Sequence, residues 1–166
     1  MPIGTFMRKK NNPLEPFRLT SGTSSTLNWL GEQGAFSSCI DYELSGSKLT
    51  RKTVSGNISR LKKDDFIQKE GKRVSFTEKG RLVYLKLKIK KCGLLPENEV
   101  CLVVFDIPEK ERRVRKFLRD FLGSVGFFPI QKSVWLSMFN ATKELNEYFR
   151  AVDLGDKVLA VTAKKE

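Results

Sequence analysis

Apolar residues recur along this chain with two different periods, and the changes of period mark its elements. Residues 49–65, LTRKTVSGNISRLKKDD, place Val54, Ile58 and Leu61 at i, i+4 and i+7, one face of a helix. Thr50 is positioned to cap it, since a hydroxyl there accepts from an unpaired N–H of the first turn. Upstream, residues 21–33 read as a helix with Ser24 or Ser25 as cap and Leu27, Trp29 and Leu30 inward. Residues 36–44 read as a short second helix, with Phe36, Ile40 and Leu44 at i, i+4 and i+8, and Ser45-Gly46-Ser47 reads as a turn. Downstream, residues 66–76 alternate as a hairpin around Glu70-Gly71-Lys72. Thr77 then caps a further element. Its run from Leu82 to Lys90 fits a helix through Leu82, Leu85 and Ile89, and a strand through Val83, Leu85, Leu87 and Ile89; the helix is preferred.

The second half begins with VCLVVFDI at residues 100–107, a short continuous apolar run of the buried-strand type. Pro108 ends it. Val114, Phe117, Leu118, Phe121, Leu122 and Val125 then form a helical stripe, with Glu109 and Glu111 at the end where the helix dipole favours negative charge. Gly126 stops the helix. FFPIQKSVWLS at residues 127–137 reads as one extended segment bent at Pro129. Residues 140–152 read as a helix with Leu145, Tyr148, Phe149 and Val152 inward, and residues 157–163 as a closing strand. The expected order is strand, helix, strand, helix, strand, the skeleton of a ferredoxin-like α/β sandwich, with sheet edges open to a second copy.

Charge divides this pattern into two. The chain has 166 residues and a net charge of +12. Residues 1–91 hold 19 Lys/Arg against 8 Asp/Glu, while residues 92–166 hold 12 against 11. A nucleic-acid partner is therefore expected at the first half. No apolar run is long enough to span a membrane, and no secretory leader is visible. Three cysteines without CxxC spacing argue against a disulfide framework or a zinc site and fit a reducing cytoplasm. The sequence has no histidine, which excludes Ser-His-Asp, Cys-His and His-ligated metal chemistry within it.

On the helix of residues 49–65, the face opposite Val54, Ile58 and Leu61 carries Lys52, Gly56, Ser59 and Lys63, flanked by Ser55, Arg60 and Lys62. Such a basic, hydroxyl-rich face with short side chains suits a major groove about 12 Å wide. Gly56 costs about 1 kcal/mol in a helix interior relative to Ala, which makes sense where a partner must come close. Lys52, Ser55, Gly56 and Ser59 are the candidates for groove contact. Arg51, Arg60, Lys62, Lys63, Lys69, Lys72 and Arg73 are the candidates for phosphates, the last three as the tip of a wing. A solvated basic helix and an ordinary charged hairpin have the same residue pattern; the succession of helices, turn, basic helix and basic hairpin favours a winged helix-turn-helix. Residues 1–20, with Arg8-Lys9-Lys10 and three prolines, read as a flexible basic arm.

In the second half, LVVFDIPEKERRVRKFLRDFL followed by GFFPIQKSVWLS resembles the small CRISPR-associated Cas-two-type family of the spacer-acquisition complex. The same core behind a winged helix resembles the central region of PaaX-type transcriptional repressors, although the extra C-terminal domain typical of those repressors does not follow here. The resemblance implies a role for Asp106, which ends the first strand as the endonuclease family's Asp does: two copies facing across a dimer would hold a divalent cation for phosphodiester hydrolysis. One carboxylate per chain is a thin ligand set, and an Asp before Ile-Pro equally suits a helix cap. Arg112, Arg115, Lys116 and Arg119 form an outward stripe, either solvated and paired with Glu111 and Asp120 or a second nucleic-acid surface. Trp135 reads as core or dimer interface.

Together these readings give an α+β chain: a basic arm at 1–20, a winged helix-turn-helix at 21–91, a linker at 92–98 and a ferredoxin-like dimerisation domain at 99–166. The expected function is a cytoplasmic, homodimeric, double-stranded-DNA-binding transcriptional regulator, read as a repressor. It has no membrane partner and no cofactor, and its small-molecule effector is left open. The alternatives are a Mg-dependent endonuclease using Asp106 and a non-catalytic architectural subunit of a DNA-integration complex.

Overall fold

Helices and strands alternate along the chain, largely as its apolar periods predict. A computed structural model describes residues 19–35, 40–41, 51–71 and 73–164, with residues 40, 41 and 51 described by backbone alone. Among these the architecture is α+β, with two antiparallel sheets. The chain divides into two compact units, at Leu87/Lys88.

The first unit contains α1 (Ser21–Glu32), β1 (Ile40–Asp41), α2 (Arg51–Lys63), β2 (Ile67–Glu70), β3 (Arg73–Phe76) and α3 (Glu78–Lys91) as far as Leu87. Its core joins Leu27 and Leu30 of α1 to Val54, Ile58 and Leu61 of α2, Val74 and Phe76 of β3, and Val83 and Tyr84 of α3. The cap of α1 is Thr20, whose hydroxyl accepts from the Thr23 N–H at 3.3 Å. Ser25, one of the two expected caps, lies inside the helix and returns its hydroxyl to the Ser21 carbonyl. The hairpin and the preferred helix reading both hold. Thr77 caps α3, accepting from the Gly80 N–H at 3.0 Å.

The expected second helix is corrected at residues 40 and 41, which form a strand beside β3, Ile40 opposite Val74 and Asp41 opposite Arg73. A spacing of four is also a multiple of two, so Phe36, Ile40 and Leu44 fit a strand face as well as a helix face. The rest of that segment, the Ser45-Gly46-Ser47 turn, the Thr50 cap and residues 1–18 of the basic arm lie outside the described residues. The sheet order is β1-β3-β2.

The second unit contains β4 (Glu99–Phe105), a 3-10 turn (Glu109–Glu111), α4 (Arg112–Ser124), β5 (Phe128–Gln131), β6 (Val134–Ser137), α5 (Thr142–Ala151) and β7 (Val158–Lys164). The segment expected to bend at Pro129 is instead a hairpin that turns at Lys132 and Ser133, so there are four strands rather than three. Pro129 is tolerated because β5 is an edge strand, irregular between Pro129 and Gln131. The order is β5-β6-β4-β7, every neighbour antiparallel. Leu118, Phe121 and Leu122 of α4 are buried, as are Leu145, Tyr148 and Phe149 of α5, and Phe121 stacks on Tyr148 with centroids 4.1 Å apart. The free edge of β7 is closed at Ala160: the Asn146 amide donates to the Ala160 carbonyl at 2.9 Å and accepts from its N–H at 3.0 Å. That edge is therefore less open to another strand than the alternation alone implies.

Candidate nucleic-acid interface

The sequence of α2, RKTVSGNISRLKK, contains five cations and no acid. Its apolar stripe is fully inward: Val54, Ile58 and Leu61 are at most 1% exposed. The helix is oriented by Asn57, which lies on the same inward face. Its amide donates to the Gly22 carbonyl at 3.1 Å and to the Thr26 hydroxyl at 2.9 Å, both on α1. The sequence reading missed Asn57, although a polar residue three after Val54 and four before Leu61 signals a buried partner.

With that face fixed, Lys52, Ser55, Gly56, Ser59, Arg60, Lys62 and Lys63 are all exposed. The Ser59 hydroxyl donates to the Ser55 carbonyl at 3.1 Å and keeps its acceptor lone pairs available. A Cβ at Gly56 would meet nothing within 4 Å. No neighbour within the described residues requires glycine there, so its helix penalty has no internal compensation. The charged ends of Lys52, Arg60 and Lys63 have no hydrogen-bond or ion-pair partner among the described residues. Lys62 reaches the hairpin, its ammonium 3.5 Å from the Lys69 carbonyl. Of the hairpin candidates, Lys69 is half-buried and Arg73 is exposed beside the Gly71 turn (φ +59°). The left-handed conformation at Gly71 is what allows a tip this tight. The structure thus brings most of the candidate residues onto two adjoining elements. The Arg51 side chain and all of Lys72 lie outside the described residues.

The second basic helix, α4, is tied down more. Arg115 pairs with Glu109 at 2.8 Å, and Lys116 with Asp120 at 2.6 Å. Glu111, expected to serve this stripe, instead pairs with Lys157 at 2.7 Å. Asp106 lies exposed after β4; its N–H donates to the Lys157 carbonyl at 2.9 Å, and its carboxylate has no partner among the described residues. It does not cap a helix: the turn beyond it starts at Pro108 without a side-chain bond, and so does α4 at Glu111. Among the described residues no three His, Cys, Asp or Glu side chains gather as a metal-ligand set. No described helix is long and apolar enough to cross a membrane.

Residues 98–166 match the family model described as the PaaX protein central Cas2-like domain. This match supports a PaaX-type protein. It covers the strands and helices from β4 to the end of the sequence and leaves α2 and its hairpin outside. A search of curated proteins found no match.

Proposed function

We propose that the chain is a PaaX-type DNA-binding transcriptional regulator, working as a repressor and as a homodimer. The observation that carries this is the exposed face of α2, where cations, hydroxyls and an unexplained glycine adjoin a basic hairpin. The order helix, strand, helix, hairpin, with the sheet arranged β1-β3-β2, supports a winged helix in which α2 enters the major groove and the hairpin follows the backbone. The βαββαβ order of the second unit and its β5-β6-β4-β7 sheet support a ferredoxin-like domain.

One face of that sheet supports the dimer. Cross-strand register lines up Phe128, Leu136, Leu102 and Val161 in one row and Val134, Val104 and Leu159 in the next. Phe128, Val104 and Leu159 are 53%, 42% and 57% exposed. A contiguous apolar face of this kind is covered in a stable assembly, and a second copy offers the same face. Two recognition helices then read two half-sites of an inverted repeat.

The test is selection of random-sequence duplexes by the purified full chain with Mg present, followed by sequencing of the bound pool and analysis of its length. An enriched inverted repeat on intact DNA is expected. Cleavage without enrichment, lost on chelation and in Asp106→Asn, would replace this reading with the endonuclease. The exposed Asp106 carboxylate, without a partner among the described residues, is the one observation that favours that second reading.

A further inference from the structure

The outer stripe of α4 belongs to a hollow that the DNA-binding reading does not use. Arg112, Arg115, Lys116 and Arg119 line a concavity of about 880 Å3, closed by Lys132 from the β5–β6 turn and by two carboxylates, Glu109 and Asp120. Five cations face two anions there. Two of the three guanidiniums are held in place: Arg115 by Glu109 at 2.8 Å, and Arg119 by the Lys132 carbonyl at 3.1 Å. Neither the Arg112 guanidinium nor the Lys132 ammonium makes a hydrogen bond or ion pair among the described residues. A neighbouring recess of about 530 Å3 shares Arg119 and Lys132 and is lined by Trp135. The indole N–H of Trp135 is buried without an acceptor among the described residues, on a side chain only 9% exposed. Around the hollow itself cations outnumber carboxylates. Like charges gathered and oriented in a hollow repel one another until an anion joins them.

We infer that this concavity binds an oligoanion carrying two or more phosphate groups. The chemistry follows from the donors. A fixed guanidinium presents parallel N–H groups to a phosphate, and a lysine adds a point charge. Arg112 and Arg119 stand about 10 Å apart along the helix axis, enough for more than one phosphate. Such groups come either from a duplex backbone or from a soluble polyphosphate. Only the first source rests on the proposed DNA-binding role.

The experiment uses the full chain and Arg112→Gln/Lys132→Gln, which removes two charges that make no hydrogen bond or ion pair among the described residues. Inorganic tripolyphosphate is titrated calorimetrically, and affinity for a random duplex is measured across a salt series. A second variant, Arg115→Lys/Arg119→Lys, keeps the charge and loses the forked donors. Tripolyphosphate binding that is saturable in the wild type and at least tenfold weaker in both variants, with the DNA salt slope unchanged, assigns the soluble source. A DNA salt slope reduced by about two in the Gln variant assigns the backbone source. If both variants match the wild type in both assays, the inference is overturned. A Lys52→Ala/Arg60→Ala chain separates the two readings, because it weakens DNA binding and leaves tripolyphosphate binding intact. If the wild type binds no duplex at all, the DNA-binding role fails and the tripolyphosphate arm alone decides this one.

Discussion

The two basic helices, α2 and α4, carry similar charge in opposite ways. On α2 the cations extend from a face with no acid among them, and Lys52, Arg60 and Lys63 have no partner among the described residues. On α4 three cations, Arg115, Lys116 and Arg119, are folded back against Glu109, Asp120 and a turn carbonyl, around a hollow. Counting Lys and Arg does not distinguish the two. Their geometry does: a convex face of loose charges with a glycine in it suits a groove, and a concave set of held charges suits a discrete anion.

The buried sides of the two helices, by contrast, are equivalent, and the largest expected effects lie there. Ile58 and Leu118 are each at most 1% exposed. Truncating either, Ile58→Ala or Leu118→Ala, costs about 2–5 kcal/mol by lost burial and the cavity left behind. Denaturant melts measure it. The comparison sharpens if Ile58→Ala also weakens DNA binding at temperatures where the chain remains folded, whereas Leu118→Ala does not.

A smaller loss is expected at Asn57→Ala, about 1–3 kcal/mol, since it leaves the buried Thr26 hydroxyl oxygen without its donor, while the Gly22 carbonyl still accepts from the Thr26 hydroxyl. Because Asn57 orients α2 on α1, this variant should lose DNA affinity beyond its loss of stability. Unchanged affinity under conditions where the variant is fully folded would reduce Asn57 to a core residue.

Outer-face substitutions follow. Lys52→Ala/Arg60→Ala removes charges with no partner among the described residues, so the melt is expected to stay within about 0.5 kcal/mol of the parent. Affinity for duplex should fall, on all sequences where the lost contact is to phosphate. Arg115→Ala/Lys116→Ala breaks two surface ion pairs, each worth about 0.2–1 kcal/mol, and is expected to move the melt more and duplex binding less. The reverse pattern would break the distinction between the helices.

Much of this was legible in the sequence, and the failures have physical causes. The i, i+4, i+7 stripe of α2 was legible because burial of one helix face leaves a 3.6-residue period. Thr77 was legible because a hydroxyl before a helix has one common use. The strand at residues 40 and 41 was not, because a spacing of four satisfies both periods. The β5–β6 hairpin was not, because its Lys132-Ser133 turn lacks the glycine or asparagine that usually marks one, while Pro129 drew attention to the wrong place. The individual cations of the α4 stripe were legible, but not the hollow. Arg119 and Lys132 are joined by a turn distant in sequence, and no local pattern records which carboxylate each arginine meets.

The smallest effect is the most discriminating, and it concerns two glycines. Gly56 on α2 and Gly123 on α4 are both exposed, and an added Cβ at either meets nothing within 4 Å. Gly56→Ala should stabilise the chain by up to about 1 kcal/mol, and Gly123→Ala by less because it lies in the last turn of its helix. On stability alone the two are alike. They part on binding: the methyl at residue 56 enters the space a groove would occupy, so Gly56→Ala should bind duplex more weakly while melting higher, and Gly123→Ala should bind as the parent does. A rise in melting with unchanged binding at Gly56 would mean that nothing approaches α2 at that point. The groove contact would then have to come from another part of the face, with Lys52 and Ser59 to be tested next.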